Sequence, residues 1–225
     1  MYVTERLMTC CGPCDGIDDQ FDRKTAQREL LRFRRRGPIP TTKRLIDALR
    51  SAGVSGATIL DIGGGIGAIH HTLLEAGAST AMQVDASFEY VQAAREETAR
   101  NGHANRVLFL RGDFVQWAAS VPDADIVTLD RVICCYPRYE PLLIEALRHA
   151  TRYLALSYPR DLFYVRAGNA LSNARRHFGG RQFRTYVHPA ADMETMIISA
   201  SFTRAARRRT IAWCVDVYER RSATL

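Results

Sequence analysis

The sequence predicts an α/β fold built on a doubly wound, mostly parallel sheet. Short apolar runs alternate with amphipathic helical stretches between residues 57 and 158, and a Gly-rich turn closes the first of those runs. The last third ends in two β segments with no helix between them, which predicts an antiparallel hairpin on the sheet edge. At 225 residues, 47% hydrophobic and 24% charged, the chain can bury one such core with a modest extension. That composition excludes disorder, collagen and coiled coil as whole-chain readings.

Each element has its own signal. From Ile17 to Arg36 a charged stretch with apolar points at Ile17, Phe21, Leu30, Leu31 and Phe33 predicts a helix, closed by Gly37-Pro38. Thr41 or Thr42 caps a second helix with Leu45, Ile46 and Leu49 on one face. Ala57 to Ile62 is a buried strand ending in Gly63-Gly64-Gly65-Ile66-Gly67, and a helix follows to about Ala76. That helix carries His70 and His71, of which one is expected to face solvent. Thr80 to Val84 is the second strand, and Ser87 caps a helix with Phe88, Val91 and Ala94 inward. Arg106 to Leu110, Ile126 to Leu129 and Tyr153 to Ser157 are the next three strands, with a helix from Pro141 to Ala150 before the last. Phe163, Ala167, Ala170, Leu171, Ala174 and Phe178 then fall at helical spacing, with Gly179-Gly180 as the stop. Met193, Met196, Ile197 and Ala200 set another helix, and residues 203–219 supply the two final β segments.

The net charge of +7 is unevenly spread. Residues 1–53 hold 11 basic and 7 acidic groups, residues 54–160 hold 9 and 12, and residues 161–225 hold 11 and 5. An acidic middle therefore lies between basic flanks, and the cations are arginine apart from Lys24 and Lys43. No apolar run approaches the roughly 20 residues of a bilayer crossing. The start, Met-Tyr-Val-Thr-Glu-Arg, lacks a signal-peptide pattern, so a cytoplasmic location is expected. Six cysteines are then expected as reduced thiols. Cys11-Gly12-Pro13-Cys14 matches the thioredoxin redox tetrapeptide, but no strand precedes it. Cys10, Cys11 and Cys14 could serve a soft metal or stand as free thiols, and no resident metal is expected.

A Gly-rich strand-to-helix turn lets backbone amides approach a ligand closely. Gly63, Gly65 and Ala68 formally satisfy the dinucleotide pattern G-x-G-x-x-G/A. Asp61, just before the turn, argues against a pyrophosphate and for a ligand with cationic groups. With it, residues 59–67 resemble the D/E-x-G-x-G-x-G signature of class I S-adenosylmethionine-dependent methyltransferases, whose ligand carries an ammonium and a sulfonium.

The resemblance spans residues 57–158 and implies a Rossmann-like seven-stranded sheet with an antiparallel last strand. It implies S-adenosyl-L-methionine as cofactor, held by Asp61, Gly63, Gly64, Gly65 and Gly67. Asp85, with Ala86 beside it, matches the acid that binds both ribose hydroxyls. Asp113 matches the residue at the adenine amino group, and Phe114 lies beside the ring. Asp130 and Arg131 end strand four, where the family lines the methyl-transfer site. An isolated Asp at a strand end is ordinarily a helix cap or a solvated turn, but three in register with three strands are harder to explain that way.

The acceptor is less marked. Residues 130–137, Asp-Arg-Val-Ile-Cys-Cys-Tyr-Pro, lack the D/N-P-P-F/Y tetrapeptide of amino-directed nucleic-acid methyltransferases. The catalytic-cysteine pattern of RNA pyrimidine methyltransferases is missing too. In this family the N-terminal helices and the insertion after strand five commonly cover the acceptor. Residues 1–53 are thus expected as a helical cap with a Cys-rich start, and residues 54–225 as the methyltransferase domain, with 161–189 as the acceptor cover. Arg32, Arg34, Arg35 and Arg36 lie in the cap, and Arg166, Arg175, Arg176, Arg181 and Arg184 in the cover. With Arg131, Arg34, Arg166 and Arg184 are the candidates to bind an anionic acceptor through arginine forks. A solvated charged face and RNA are the other readings. His188, Tyr136 and Tyr158 are the groups best suited to reach the acceptor, and each also has a structural reading. Cys134 and Cys135 suggest a thiol or metalloid acceptor or two small buried hydrophobes. A non-catalytic binder of the cofactor completes the alternatives. The layout of Tyr158-Pro159-Arg160, an insertion ending in His177, and His188-Pro189 is similar to magnesium-protoporphyrin O-methyltransferases, which esterify a propionate.

Overall fold

Seven strands share one sheet in the computed structural model, which describes residues 16–221. They are β1 (Thr58–Ile62), β2 (Thr80–Asp85), β3 (Val107–Arg111), β4 (Ala124–Asp130), β5 (Ala150–Pro159), β6 (Phe202–Arg209) and β7 (Trp213–Arg220). Their order is β3-β2-β1-β4-β5-β7-β6. β1 to β5 are parallel, and β7 runs antiparallel between β5 and β6. The central strands are apolar because both faces are covered, and Leu60, Ile126, Val127 and Leu154 are all essentially inaccessible. At one edge, β6 carries Arg204, Arg207, Arg208 and Arg209, which discourage pairing with another chain.

The helices are α1 (Ile17–Gln20), α2 (Arg23–Arg36), α3 (Pro40–Ala52), α4 (Ala68–Glu75), α5 (Phe88–Arg100), α6 (Phe114–Trp117), α7 (Glu140–His149), α8 (Phe163–Phe178) and α9 (Ala190–Ser199). Leu45 and Leu49 of α3 and Leu73 of α4 pack on one face of the sheet, and Leu142 and Leu143 of α7 with Met193 and Ile197 of α9 pack on the other. No helix among the described residues is long and apolar enough to cross a membrane. Cys10, Cys11 and Cys14 lie outside the described residues.

Several boundaries differ from the sequence expectation, each for a local reason. The first helix is two, because the Asp22 carboxylate accepts the Thr25 N–H at 2.8 Å and starts α2 afresh. Phe21, at the break, turns inward against Tyr90 and Phe183. Neither Thr41 nor Thr42 caps α3, which starts at Pro40 after Ile39, and both threonines are buried in its first turn. Phe88 is half-exposed, and Tyr90 takes the inward position. Neither His70 nor His71 faces solvent, since both are fully buried beneath the glycine loop. α8 buries none of its residues, so the apolar stripe that announces the helix faces outward.

Candidate active site

The glycine loop rests on a buried polar layer. Gly63, Gly65 and Gly67 all adopt left-handed φ, at 62°, 57° and 82°. A Cβ on Gly63 would lie 2.4 Å from Val132 Cγ2, and one on Gly64 would lie 2.7 Å from Asp61 Oδ2. Gly63 needs glycine for packing as well as for conformation, and Gly64 for packing alone. Gly65 has open space at the same point and lines the cavity, so a ligand can approach the chain closely there. Beneath the loop, Asp61 accepts from Thr128 Oγ1 at 2.6 Å and from His70 Nδ1 at 2.9 Å. Gln83 Nε2 donates to the Gly65 carbonyl at 2.9 Å. Asp61 is itself inaccessible and forms no part of the cavity wall, and Gly67 packs on His70 and His71.

A cavity of about 470 Å³ opens above this layer at the carboxyl ends of β1, β2 and β4. Gly63, Gly64, Gly65, Asp85, Ala86 and Phe114 form one side of it. Asp85 accepts the Gly65 N–H and the Ser87 N–H, each at 2.8 Å. Burial, with the nearby charge of Asp61, pushes its pKa up to about 6 despite those two bonds. Asp113 sits just behind the wall, where Oδ1 accepts from Tyr136 Oη at 2.6 Å and caps α6 through the Val115 N–H at 3.1 Å. Tyr136 is itself part of the wall.

The other side combines strand four with both flanks. Asp130 accepts from Thr42 Oγ1 at 2.5 Å and from the Ser157 hydroxyl, and burial raises its pKa. Arg131 follows with φ 64°, and its guanidinium lies 5.4 Å from the Trp213 ring. Cys134 and Cys135 also reach the wall, with their sulfurs 3.3 and 3.6 Å from the Arg131 carbonyl oxygen. From α2 come Thr25, Arg28, Glu29 and Arg32, and from α8 and the segment after it Asn169, Arg176, Phe183 and Thr185.

Several residues marked as acceptor contacts lie elsewhere. Tyr158 is in the core, where its hydroxyl donates to Asp216 Oδ2 at 2.6 Å, and burial with that carboxylate raises its pKa. Arg34 points at α5 and pairs with Glu96 at 2.9 Å and Glu97 at 2.7 Å. Arg166 pairs with Asp161, and Arg184 donates to the carbonyls of Arg181, Gln182 and Phe183. His188 donates to the Tyr136 carbonyl at 2.9 Å, has its pKa lowered by burial, and lines a neighbouring cavity together with Arg166. Arg28 was the arginine that charge counting missed. Residues 25, 28, 29 and 32 share one face of α2 at helical spacing, opposite Arg34, and that periodicity was the available signal. Among the described residues no group of three or more His, Cys, Asp or Glu side chains is placed to hold a metal ion.

Residues 59–155 match a family model described as a methyltransferase domain. The chain is similar to the ribosomal protein L11 methyltransferase of Escherichia coli, 35% identical over 78 residues, which are 34% of this chain and 27% of that protein. It thus spans little more than a quarter of that relative. Its fold is similar to magnesium protoporphyrin IX methyltransferase from Synechocystis PCC 6803 with bound SAH, with a TM-score of 0.64 and 22% identity over 80% of this chain and 82% of that one. It is also similar to an O-methyltransferase family protein from Burkholderia thailandensis, with a TM-score of 0.70 and 16% identity over 92% and 63%. At these identities the structural likeness establishes the fold.

Proposed function

We propose that this chain, whose residues 59–155 are the core of a class I S-adenosylmethionine-dependent methyltransferase domain, methylates a small anionic acceptor, a carboxylate or hydroxyl oxygen being favoured. One observation carries the acceptor class. Arg28, Arg32 and Arg131 wall the cavity, and among the described residues none of their guanidinium groups makes an ion pair. Arginines left unpaired around a concave site suit carboxylate oxygens.

The residues present fit the cofactor. The open space at Gly65 would let its amino-acid portion approach closely, the Asp85 carboxylate would take its ribose hydroxyls, and Phe114, with Asp113 just behind the wall, would border its adenine. When bound, it supplies a methyl group on a cationic sulfur, already activated for in-line displacement. The chain then has to orient the acceptor and exclude water. Arg28, Arg32 and Arg131 would hold an anionic acceptor, and an ionised carboxylate needs no base to remove a proton. In this reading residues 1–53 cap the site, residues 54–225 hold the cofactor, and residues 161–189 cover the acceptor.

A second reading rests on Cys134 and Cys135, which bring two thiols to the same wall and suit a thiol-bound metalloid acceptor. Methyl-labelled cofactor incubated with fractionated metabolites tests both. The first reading expects label in an acidic small molecule, lost in Arg28→Gln/Arg32→Gln while cofactor affinity is kept. Label in RNA with steep salt dependence overturns it, as does tight cofactor binding with no turnover.

A further inference from the structure

α8 is amphipathic in the reverse sense to a helix that packs on a core. Its polar side faces the protein: Asn169 and Asn173 both donate to the Thr185 carbonyl, at 2.8 and 2.7 Å, and Arg176 lies over the Phe183 ring. Its apolar side faces out, with Phe163 84%, Leu171 54% and Phe178 88% exposed. A second element extends that apolar surface. The Tyr164 hydroxyl donates to the Ile211 carbonyl at 2.8 Å, which places the β6–β7 turn beside the start of α8, and Ile211 is 81% exposed.

The charge around this surface is mostly positive, and the Asp161 carboxylate just before α8 is taken up by Arg166. α8 contains no acidic residue. Arg175, Arg181, Arg208 and Arg209 are exposed nearby in sequence, on α8, just beyond it, and at the end of β6. We propose that the outer face of α8, together with the β6–β7 turn, docks the protein on an anionic lipid bilayer. Large apolar side chains flanked by cations are the combination that an interfacial helix presents to acidic headgroups. A second copy fits worse, because a twofold contact through α8 would set two basic faces together with no acid on the helix to pair them. Seated this way, the protein holds its cavity about one helix diameter, on the order of 10 Å, from the headgroups.

Vesicle flotation tests this without cofactor or acceptor, so its failure leaves the methyltransferase reading untouched. The probes are phosphatidylcholine vesicles and vesicles with about one-third phosphatidylglycerol. Binding is expected only to the anionic vesicles, and it should weaken as salt rises. Phe163→Glu/Phe178→Glu and, separately, Ile211→Glu should each lower it about tenfold or more. All three side chains are exposed, so the thermal midpoint should hold. Equal binding by the variants, absence of binding to anionic vesicles, or a dimer in light scattering that Phe178→Glu dissociates would each overturn the proposal.

Discussion

Nδ1 of His70 donates to Oδ2 of Asp61 across 2.9 Å, with both side chains inaccessible beneath the glycine loop. With Thr128 on the other oxygen, this pair makes Asp61 a support of the loop from beneath the cavity wall. His70→Leu would leave a buried carboxylate with one hydroxyl partner. The expected cost is about 1.5–3 kcal/mol in urea unfolding, together with weaker cofactor binding. His70→Asn, which keeps a donor, should recover part of both. An unchanged urea midpoint in His70→Leu would remove Asp61 from this supporting role.

Cofactor affinity should depend on pH through Asp85, whose pKa stands at about 6. In the proposed site ribose hydroxyls would donate to this carboxylate, so binding would compete with the proton. Calorimetric titration between pH 7 and 5 should show Kd rising below pH 6, toward about tenfold per unit. Asp85→Asn should bind about tenfold or more weakly at pH 7 and lose most of that slope. A wild-type Kd that stays flat across the range would mean that Asp85 does not meet the ligand.

His71 predicts an acid weakness of the fold. It lies between His70, at 4.4 Å ring to ring, and His103, at 6.0 Å, and neither of its nitrogens has a well-formed hydrogen bond among the described residues. Burial, then the neighbouring histidines, lower its pKa from 6.5 to about 2. Between those values the unfolded chain binds a proton that the folded chain does not, so stability falls as pH falls. The slope for this one group approaches about 1.4 kcal/mol per pH unit. Asp85 acts oppositely, because its raised pKa makes the folded state bind the extra proton between 3.8 and about 6. His71→Leu should therefore gain on the wild type progressively below pH 6.5 in denaturant titrations. A constant difference between the two from pH 7 to 5 would contradict this.

The sheet was legible because strands covered on both faces read as apolar runs, and the glycine loop because positive φ and close packing at Gly63 both select one residue type. What the sequence hid was direction. The stripe through Phe163, Leu171 and Phe178 marks a helix, but only the partner at Thr185, in the segment after the helix, decides which side faces the protein. Arg34 and Arg28 are equivalent in a charge count, and α5 separates them by supplying Glu96 and Glu97 to one alone. His70 gained its partner from β1, nine residues earlier, which no helical periodicity records.

Cys135 offers a probe of the cavity that needs no acceptor. It is half-exposed on the wall, whereas Cys134 and Cys214 are buried. The hydrogen bond between the two adjacent thiols lowers the pKa of Cys134 and, with burial, raises that of Cys135 well above the ordinary value. Access therefore favours Cys135 as the reacting thiol, and its pKa makes the reaction slow at neutral pH. Site-resolved mass spectrometry after iodoacetamide treatment should find Cys135 modified before Cys134 and Cys214, at a rate that climbs with pH up to at least 9. Saturating S-adenosylhomocysteine should slow it about tenfold if the cofactor fills this cavity. Cys134→Ser removes the neighbouring thiol that raises the Cys135 pKa, so Cys135 should then react faster at pH 7. Equal rates with and without S-adenosylhomocysteine would place the cofactor away from this wall.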